Sequence, residues 1–180
     1  VGLIKDYAKM ISMDLKEIDN LVLIIGKTEG HIDQSLFART ILDEKNGPPP
    51  EVNLFNEKNN GETILNLIDK GYVKSAHDIS LGGLLVAISK MCIKGDKGIK
   101  ISKSKNLMNE IEYFFSEDQG RYLIEVSKED LKEVTKILDK NSVYFEEFGI
   151  ITKNDIIINE KTKLTIDELK SYYTSWLTKY

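Results

Sequence analysis

The chain has 180 residues, 41% of them hydrophobic and 30% charged, with a formal net charge of −4. That is long enough for one well-buried core without requiring two domains, and the acidic balance argues against a general nucleic-acid binder. The single Cys92 excludes an internal disulfide and a cysteine-based metal centre; with no apolar run long enough to span a bilayer and no visible signal peptide, a reducing cytoplasm is expected.

The opening Val1-Gly2-Leu3-Ile4 lacks an initiating methionine and reads as the middle of something, which points to a piece of a larger chain. Leu21 to Gly26 is a continuous apolar run ending in glycine and predicts a buried strand. Apolar residues at 36, 37, 41 and 42 predict a helix over Asp33 to Leu42, with Asp33 placed as its cap. Asn46-Gly47-Pro48-Pro49-Pro50 is a rigid break, since consecutive prolines exclude helix and favour an extended path. Leu54 to Lys70 predicts a helix closed by Gly71, and Val73 to Ala76 a strand. Gly83 to Lys94 predicts a helix closed by Gly95, whose apolar run Val86 to Ile93 places Cys92 in the core. Gly98 to Ile101 is a short strand and Leu107 to Phe115 a short helix.

Arg121 to Val126 predicts a strand, followed by an amphipathic helix over Lys128 to Leu138 with Leu131, Val134, Ile137 and Leu138 on one face. Val143 to Thr152 and Asp155 to Ile158 are strands that a turn at Lys153-Asn154 would join as a hairpin. Thr165-Ile166-Asp167-Glu168 is a capping sequence that starts a last helix running to Leu177, with Trp176 and Tyr180 as packing residues. The runs Lys94 to Lys105 and Asn159 to Lys163 read as solvated surface. Strands alternating with helices predict an α/β or α+β domain, a mixed sheet flanked by helices, with residues 1–180 as one domain.

Two polar constellations lie at junctions between elements. The first is His77, Asp78 and Ser80 with Gly82 and Gly83, where a strand breaks into a turn and a glycine pair opens an apolar helix. Each glycine costs about 1 kcal/mol against alanine inside a helix, so the pair implies close approach of backbone or ligand, or free N–H groups facing an anion. The other reading is a helix cap, with Asp78 or Ser80 accepting N–H groups. The pattern is neither a P-loop, for want of a following Gly-Lys-Ser/Thr, nor a dinucleotide fingerprint, for want of a third glycine. The second constellation is Ser116-Glu117-Asp118-Gln119-Gly120-Arg121, either a ligand-contacting turn or a solvated one with a surface ion pair. His31, beside Gly30 and Asp33, reads as a loop histidine. No set of carboxylates suited to a metal ion is visible.

Five segments occur together in one order: Gly30-His31-Ile32-Asp33-Gln34-Ser35-Leu36, Gly47-Pro48-Pro49-Pro50-Glu51-Val52, His77-Asp78-Ile79-Ser80-Leu81-Gly82-Gly83-Leu84, Phe115-Ser116-Glu117-Asp118-Gln119-Gly120-Arg121-Tyr122 and Phe148-Gly149-Ile150-Ile151. In this the chain resembles the C-terminal domain of the phosphoribosylformylglycinamidine synthase family (synthetase subunit, short bacterial type), in the last domain of its duplicated chain. The wider group includes aminoimidazole ribonucleotide synthetase and selenophosphate synthetase, and it implies an aminoimidazole ribonucleotide synthetase C-terminal-like fold. The resemblance implies a part in an ATP-dependent C–N ligase of de novo purine biosynthesis. There, ATP and magnesium activate the formamide oxygen of formylglycinamide ribonucleotide as a phosphate ester, and ammonia displaces phosphate. ATP and magnesium would be bound mostly by nucleotide-binding domains elsewhere in the full-length enzyme, with none held tightly by this stretch.

Implied partners are the chain's own N-terminal domains, a glutaminase subunit and a small accessory subunit, without nucleic acid or membrane. The alternatives are a non-catalytic assembly domain of that complex, or the same domain of another group member. Candidate substrate- or phosphate-binding residues by this resemblance are Ser35, His77, Asp78, Ser80, Gly82, Gly83, Glu117, Asp118 and Gln119; no catalytic residue and no metal ligand is assigned. Leu81 stands where the group commonly has aspartate, which removes a carboxylate role there, and Asp33 stands where glycine is usual before Gln34-Ser35.

Overall fold

A computed structural model describes residues 4, 6–101 and 108–175. After a single 3-10 turn at Tyr7–Lys9, the elements are β1 (Leu21–Ile25), α1 (Leu36–Thr40), α2 (Leu54–Asp69), β2 (Val73–Asp78), α3 (Gly83–Gly95) and β3 (Gly98–Ile101). They continue as α4 (Glu110–Phe115), β4 (Tyr122–Val126), α5 (Leu131–Lys140), β5 (Phe145–Thr152), β6 (Asp155–Ile158), β7 (Thr162–Thr165) and α6 (Ile166–Thr174). The strands form one sheet in the order β2-β4-β1-β5-β3-β6-β7. Every neighbouring pair is antiparallel except β3 with β6, so the sheet is mixed, as expected.

Side chains alternate across a strand, and β1 uses both faces. Val22 and Ile24 pack into one apolar cluster with Leu84, Ile88 and Met91 of α3. Leu23 and Ile25 pack into a second with Ile64 and Leu67 of α2 and Val134 and Leu138 of α5. A strand covered on both sides has no polar face, which is why 21–25 reads as an unbroken apolar run. Cys92 lies fully buried in the first cluster, and burial pushes its thiol up to about 12.

Several expectations need correction. The cap of α1 is Ser35, not Asp33: its Oγ accepts the Ala38 N–H at 3.1 Å. Gln34 sits at φ +62°, a left-handed conformation that interrupts any helix begun at Asp33. Strands β5 and β6 make no hairpin, because β3 lies between them, paired with both. The crossing is possible because Gly98 has no side chain; a Cβ there would lie 2.2 Å from the Asp155 carbonyl oxygen. Residues 162–165, within and beside a stretch read as surface, form edge strand β7, paired antiparallel with β6. Asn159 (φ +51°) and Glu160 (φ +59°) make the reversal, with the doubly positive φ that tight hairpins favour. The Thr165–Glu168 capping box forms as expected. Val1, Gly2, Leu3, Leu107, Trp176, Leu177 and Tyr180 lie outside the described residues. Among the described residues no helix is long and apolar enough to cross a membrane.

One buried carboxylate had no sequence signal. Glu125 sits on β4, fully buried, in register with Val22 and Ser75. Its Oε2 accepts the Lys16 N–H at 2.8 Å and the Ser75 hydroxyl at 2.9 Å. Its Oε1 accepts the Glu17 N–H at 3.0 Å and the Asn20 amide at 2.8 Å. The segment leading into β1 is thereby fastened to the sheet. Because four donors would lose their acceptor, Glu125→Ala is expected to lower the unfolding free energy by about 3 kcal/mol or more. Urea denaturation measures this, and a loss below about 1 kcal/mol would show that the donors find other partners.

Candidate functional site: two polar turns joined by carboxylates

The two polar constellations meet at one end of the sheet. Strand β2 ends beside the start of β4, with Asp78 opposite Tyr122, and the Ile79 N–H continues the pairing to the Arg121 carbonyl at 2.9 Å. The chain then turns through Ser80 and Leu81 into Gly82 (φ +86°) and Gly83 (φ +70°). A Cβ on Gly83 would lie 2.7 Å from both the Phe115 carbonyl carbon and the Ser116 carbonyl oxygen. Gly83 therefore answers a close approach by the neighbouring polar turn, whereas a Cβ on Gly82 would lie 2.6 Å from the Val86 side chain of the same helix.

That turn supplies the anion as well. Glu117 Oε1 accepts the Gly82 N–H at 2.8 Å and the Leu36 N–H at 2.7 Å, so one carboxylate oxygen joins the starts of α3 and α1. Negative charge at helix N-termini is favourable because unpaired N–H groups converge there. Gly83 N–H is itself taken by the Ser80 carbonyl at 2.9 Å. Asp118 does the same for the loop after β1: Oδ2 accepts the Glu29 and Gly30 N–H groups at 3.0 and 3.1 Å, and Oδ1 the His31 N–H at 3.0 Å. Three successive N–H groups around one carboxylate form an anion nest.

Arg121 holds the acidic turn in shape from beneath. Its guanidinium is buried and donates to the Asp118 carbonyl (3.2 Å), Thr28 Oγ1 (3.0 Å) and the Ser116 carbonyl (2.7 Å). Burial pulls its pKa down, and the Asp118 carboxylate 3.7 Å away opposes that. A guanidinium keeps its charge regardless. This Arg121–Asp118 contact is buried, so the surface ion pair expected for this turn is not what forms.

The other candidates are placed as follows. Ser35 is fully buried as the α1 cap. The His77 ring is mostly buried, its Nδ1 3.1 Å from the Asp78 carboxylate, which is itself largely exposed. Ser80 and Gln119 are exposed, the Gln119 amide 3.4 Å from the Glu117 carbonyl. A polar cleft of about 650 Å³ opens between the loop after β1 and the first turns of α2, and Asp118 and Gln119 line it. His77, Asp78, Ser80, Gly82, Gly83, Glu117 and Ser35 are not part of its wall.

Sequence reasoning missed Lys27, Glu57, Asn60 and Tyr144, which line the cleft, and gave His31 too small a part. His31 gives its N–H to Asp118 and its carbonyl to the Glu117 N–H (3.1 Å), and its ring Nε2 lies 3.0 Å from the Pro48 carbonyl, tying down the proline strap. The available signal was the spacing Asn53, Asn56, Glu57, Asn60, which puts polar side chains on one helical face. The residues present do not fit a magnesium ion. Both Asp118 oxygens and Oε1 of Glu117 already accept N–H groups, and no group of three metal-ligating side chains occurs among the described residues.

Two predictions follow from this geometry. At Gly71 (φ +79°) nothing lies within 4 Å of an added Cβ, so Gly71→Ala carries only the left-handed strain of about 1–2 kcal/mol. Gly83→Ala adds a backbone overlap to the same strain and should cost at least about 2 kcal/mol more; equal losses in chemical denaturation would contradict the close approach. Desolvation, partly offset by Asp78, lowers the His77 pKa below its usual 6.5. The unfolded chain then binds a proton more readily than the folded one, so stability from neutral His77 is present above pH 6.5 and lost as pH falls below it. His77→Gln should flatten the stability profile on the acid side of that value, and an unchanged profile would show that the ring is not desolvated.

A family model described as AIR synthase related protein, C-terminal domain, matches residues 17–159. Over all 180 residues the chain is 65% identical to phosphoribosylformylglycinamidine synthase subunit PurL of Pelagibacter ubique, covering 25% of that protein. It is 36% identical over 180 residues to the same-named subunit of Bartonella henselae, covering 24% of it. The chain thus spans about a quarter of the length of these curated relatives. Among solved structures, T. maritima PurL complexed with FGAR superposes with a TM-score of 0.74 at 19% identity, over 91% of this chain and 30% of that one. E. coli HypE, a hydrogenase maturation protein, gives 0.62 at 16% identity, over 87% of this chain and 51% of that one. At such identities the structures speak for the fold, and the fold agrees with the sequence match: this chain belongs to the AIR synthase related protein C-terminal domain family.

Proposed function

We propose that the chain is the C-terminal domain of the second half of a phosphoribosylformylglycinamidine synthase synthetase subunit. In this reading it works within the ATP-dependent ligase that converts formylglycinamide ribonucleotide and ammonia to formylglycinamidine ribonucleotide. The observation that carries the reading is 65% identity across every residue of the chain to the Pelagibacter ubique subunit. The T. maritima relative has been solved with ATP and as PurLQS, which supports nucleotide use and a multi-subunit assembly for the whole enzyme. The glutaminase and small accessory subunit are the partners this implies. An amide oxygen is a poor leaving group until phosphorylated, so the ligase must supply an activating phosphoryl group. That step belongs to domains that bind nucleotide and magnesium, because no group of three metal-ligating side chains occurs among the described residues here.

Within the ligase, the domain acts as a scaffold. The observation favouring this over direct substrate contact is that both acidic side chains of the turn already accept backbone N–H groups from α1, α3 and the loop after β1. The natural polypeptide containing these residues should form the amidine with ATP, formylglycinamide ribonucleotide and ammonia, and the 180-residue chain alone should not. In that polypeptide Gln119→Ala should leave turnover within about twofold. Glu117→Ala should lower thermal stability and weaken co-purification with the glutaminase while the folded fraction keeps its kcat. A raised KM for the ribonucleotide, or a fall of about tenfold or more in kcat, in a folded and assembled Gln119→Ala enzyme would assign the turn to substrate contact instead.

A further inference from the structure

Asparagine followed by glycine occurs twice in the chain, at Asn46-Gly47 and Asn60-Gly61. The pair is chemically special because glycine has no side chain to obstruct its own nitrogen and lets the backbone turn freely. That nitrogen can then reach the carbonyl carbon of the preceding asparagine side chain and close a five-membered ring. The fold treats the two pairs in opposite ways. Asn60 lies within α2, is only 6% exposed, and its Nδ2 donates to the Gly120 carbonyl at 2.9 Å. Helical backbone directs Gly61 N at the preceding turn, away from the Asn60 side chain. Asn46 and Gly47, by contrast, are exposed, in a stretch with neither helix nor strand. Gln34 Nε2 donates to the carbonyls of Lys45 (2.8 Å) and Gly47 (3.1 Å), but both bonds pass the Asn46–Gly47 peptide by. Among the described residues the Asn46 side chain, the Asn46 carbonyl and the Gly47 N–H make no hydrogen bond, so none opposes rotation of that peptide. Nor can the glycine be exchanged: it sits at φ +107°, and a Cβ there would lie 2.5 Å from the Asp33 carboxylate. The fold itself thus requires the half of the pair that makes it reactive.

We propose that Asn46 is a site of spontaneous deamidation. Gly47 N, losing its proton, bonds to Asn46 Cγ; the Cγ–Nδ2 bond breaks, and ammonia leaves carrying that proton. Water then hydrolyses the resulting succinimide at either carbonyl carbon, giving aspartate or isoaspartate, each with a new carboxylate. The step needs no enzyme and no oxidant. Its surroundings make it felt. The new charge falls beside Asp33, Asp43 and Glu44. Isoaspartate also lengthens the main chain by one carbon directly before Gly47, whose carbonyl Gln34 holds, and Pro48, whose carbonyl lies 3.0 Å from His31 Nε2. The proline strap that borders the polar cleft therefore carries a site of slow covalent change, whatever reaction the whole polypeptide performs.

The natural polypeptide containing these residues is incubated at neutral pH, folded and in parallel in urea, and sampled over days. Peptic digestion in acid, which avoids deamidation during the digest, and mass spectrometry then give the rate at each asparagine. Dividing the folded rate by the urea rate removes the effect of local sequence. Asn46 should stay within about fivefold of its urea rate, while Asn60 should fall at least about a hundredfold below its own. Protection of Asn46 equal to that of Asn60 would overturn the proposal. So would equal reactivity of the two, since the fold would then not choose between them. The products at position 46 should include isoaspartate, separated by chromatography from an Asn46→Asp standard; aspartate alone would mean direct hydrolysis without a ring. Asn46→Gln, whose ring would need six members, should lose the reaction at 46 and leave the rate at Asn60 unchanged. Deamidation at 46 that persists undiminished in this variant would also overturn the cyclic path.

Discussion

Backbone N–H groups with no partner in helix or sheet converge on one end of this domain, and carboxylates of the chain itself satisfy them. Leu36 and Gly82 begin helices, and Glu29, Gly30 and His31 form a loop; none of these N–H groups can reach a carbonyl in a regular ladder. Unpaired and shielded from water, each would cost about 1–3 kcal/mol. Glu117 and Asp118 accept all five. The positions of α1, α3 and the loop after β1 all depend on this pair of adjacent acids. Arg121 keeps the pair in place through the carbonyls of residues 116 and 118. Glu125 repeats the device in the interior of the sheet, for the segment that leads into β1.

An arrangement of this kind changes what the glycine pair means. A strand, a polar turn, two glycines and an apolar helix together look like a place for a phosphate. Here the N–H of Gly82 already has its anion, supplied by the protein, and Gly83 is required because a neighbouring backbone runs within a few ångströms. The chemistry of an anion site is retained, but its occupant is covalently part of the fold. This is why the domain is read as a scaffold in the function proposed above.

Most of the fold was legible because the elements have strong local signals. The two-sided burial of β1 leaves an unbroken apolar run, the amphipathic face of α5 recurs at helical spacing, and the capping box of α6 is written in four consecutive residues. The errors have equally local causes. Asp33 looked like a cap, but the left-handed Gln34 delays the helix to Ser35. The β5–β6 turn looked like a hairpin because pairing is a tertiary fact, and the sequence does not show that β3 inserts between them. Strand β7 is short, polar and at the edge, so it carries no apolar alternation to detect. The two polar turns were recognisable as special from composition and spacing, whereas their mutual contact through Glu117 was not. Nothing in Glu125 distinguishes a buried anchor from a surface charge on a strand.

Glu117 holds the starts of α1 and α3 together as a single acceptor. Amide hydrogen exchange at Leu36 and Gly82, resolved residue by residue by NMR in the native chain and in Glu117→Ala, measures that directly. Loss of the carboxylate should speed exchange at both amides by about tenfold or more while the β1 amides of Leu23 and Ile24 keep their protection. Unchanged exchange at Leu36 and Gly82 would mean that the carboxylate does not hold these helices together, and the scaffold reading would be wrong.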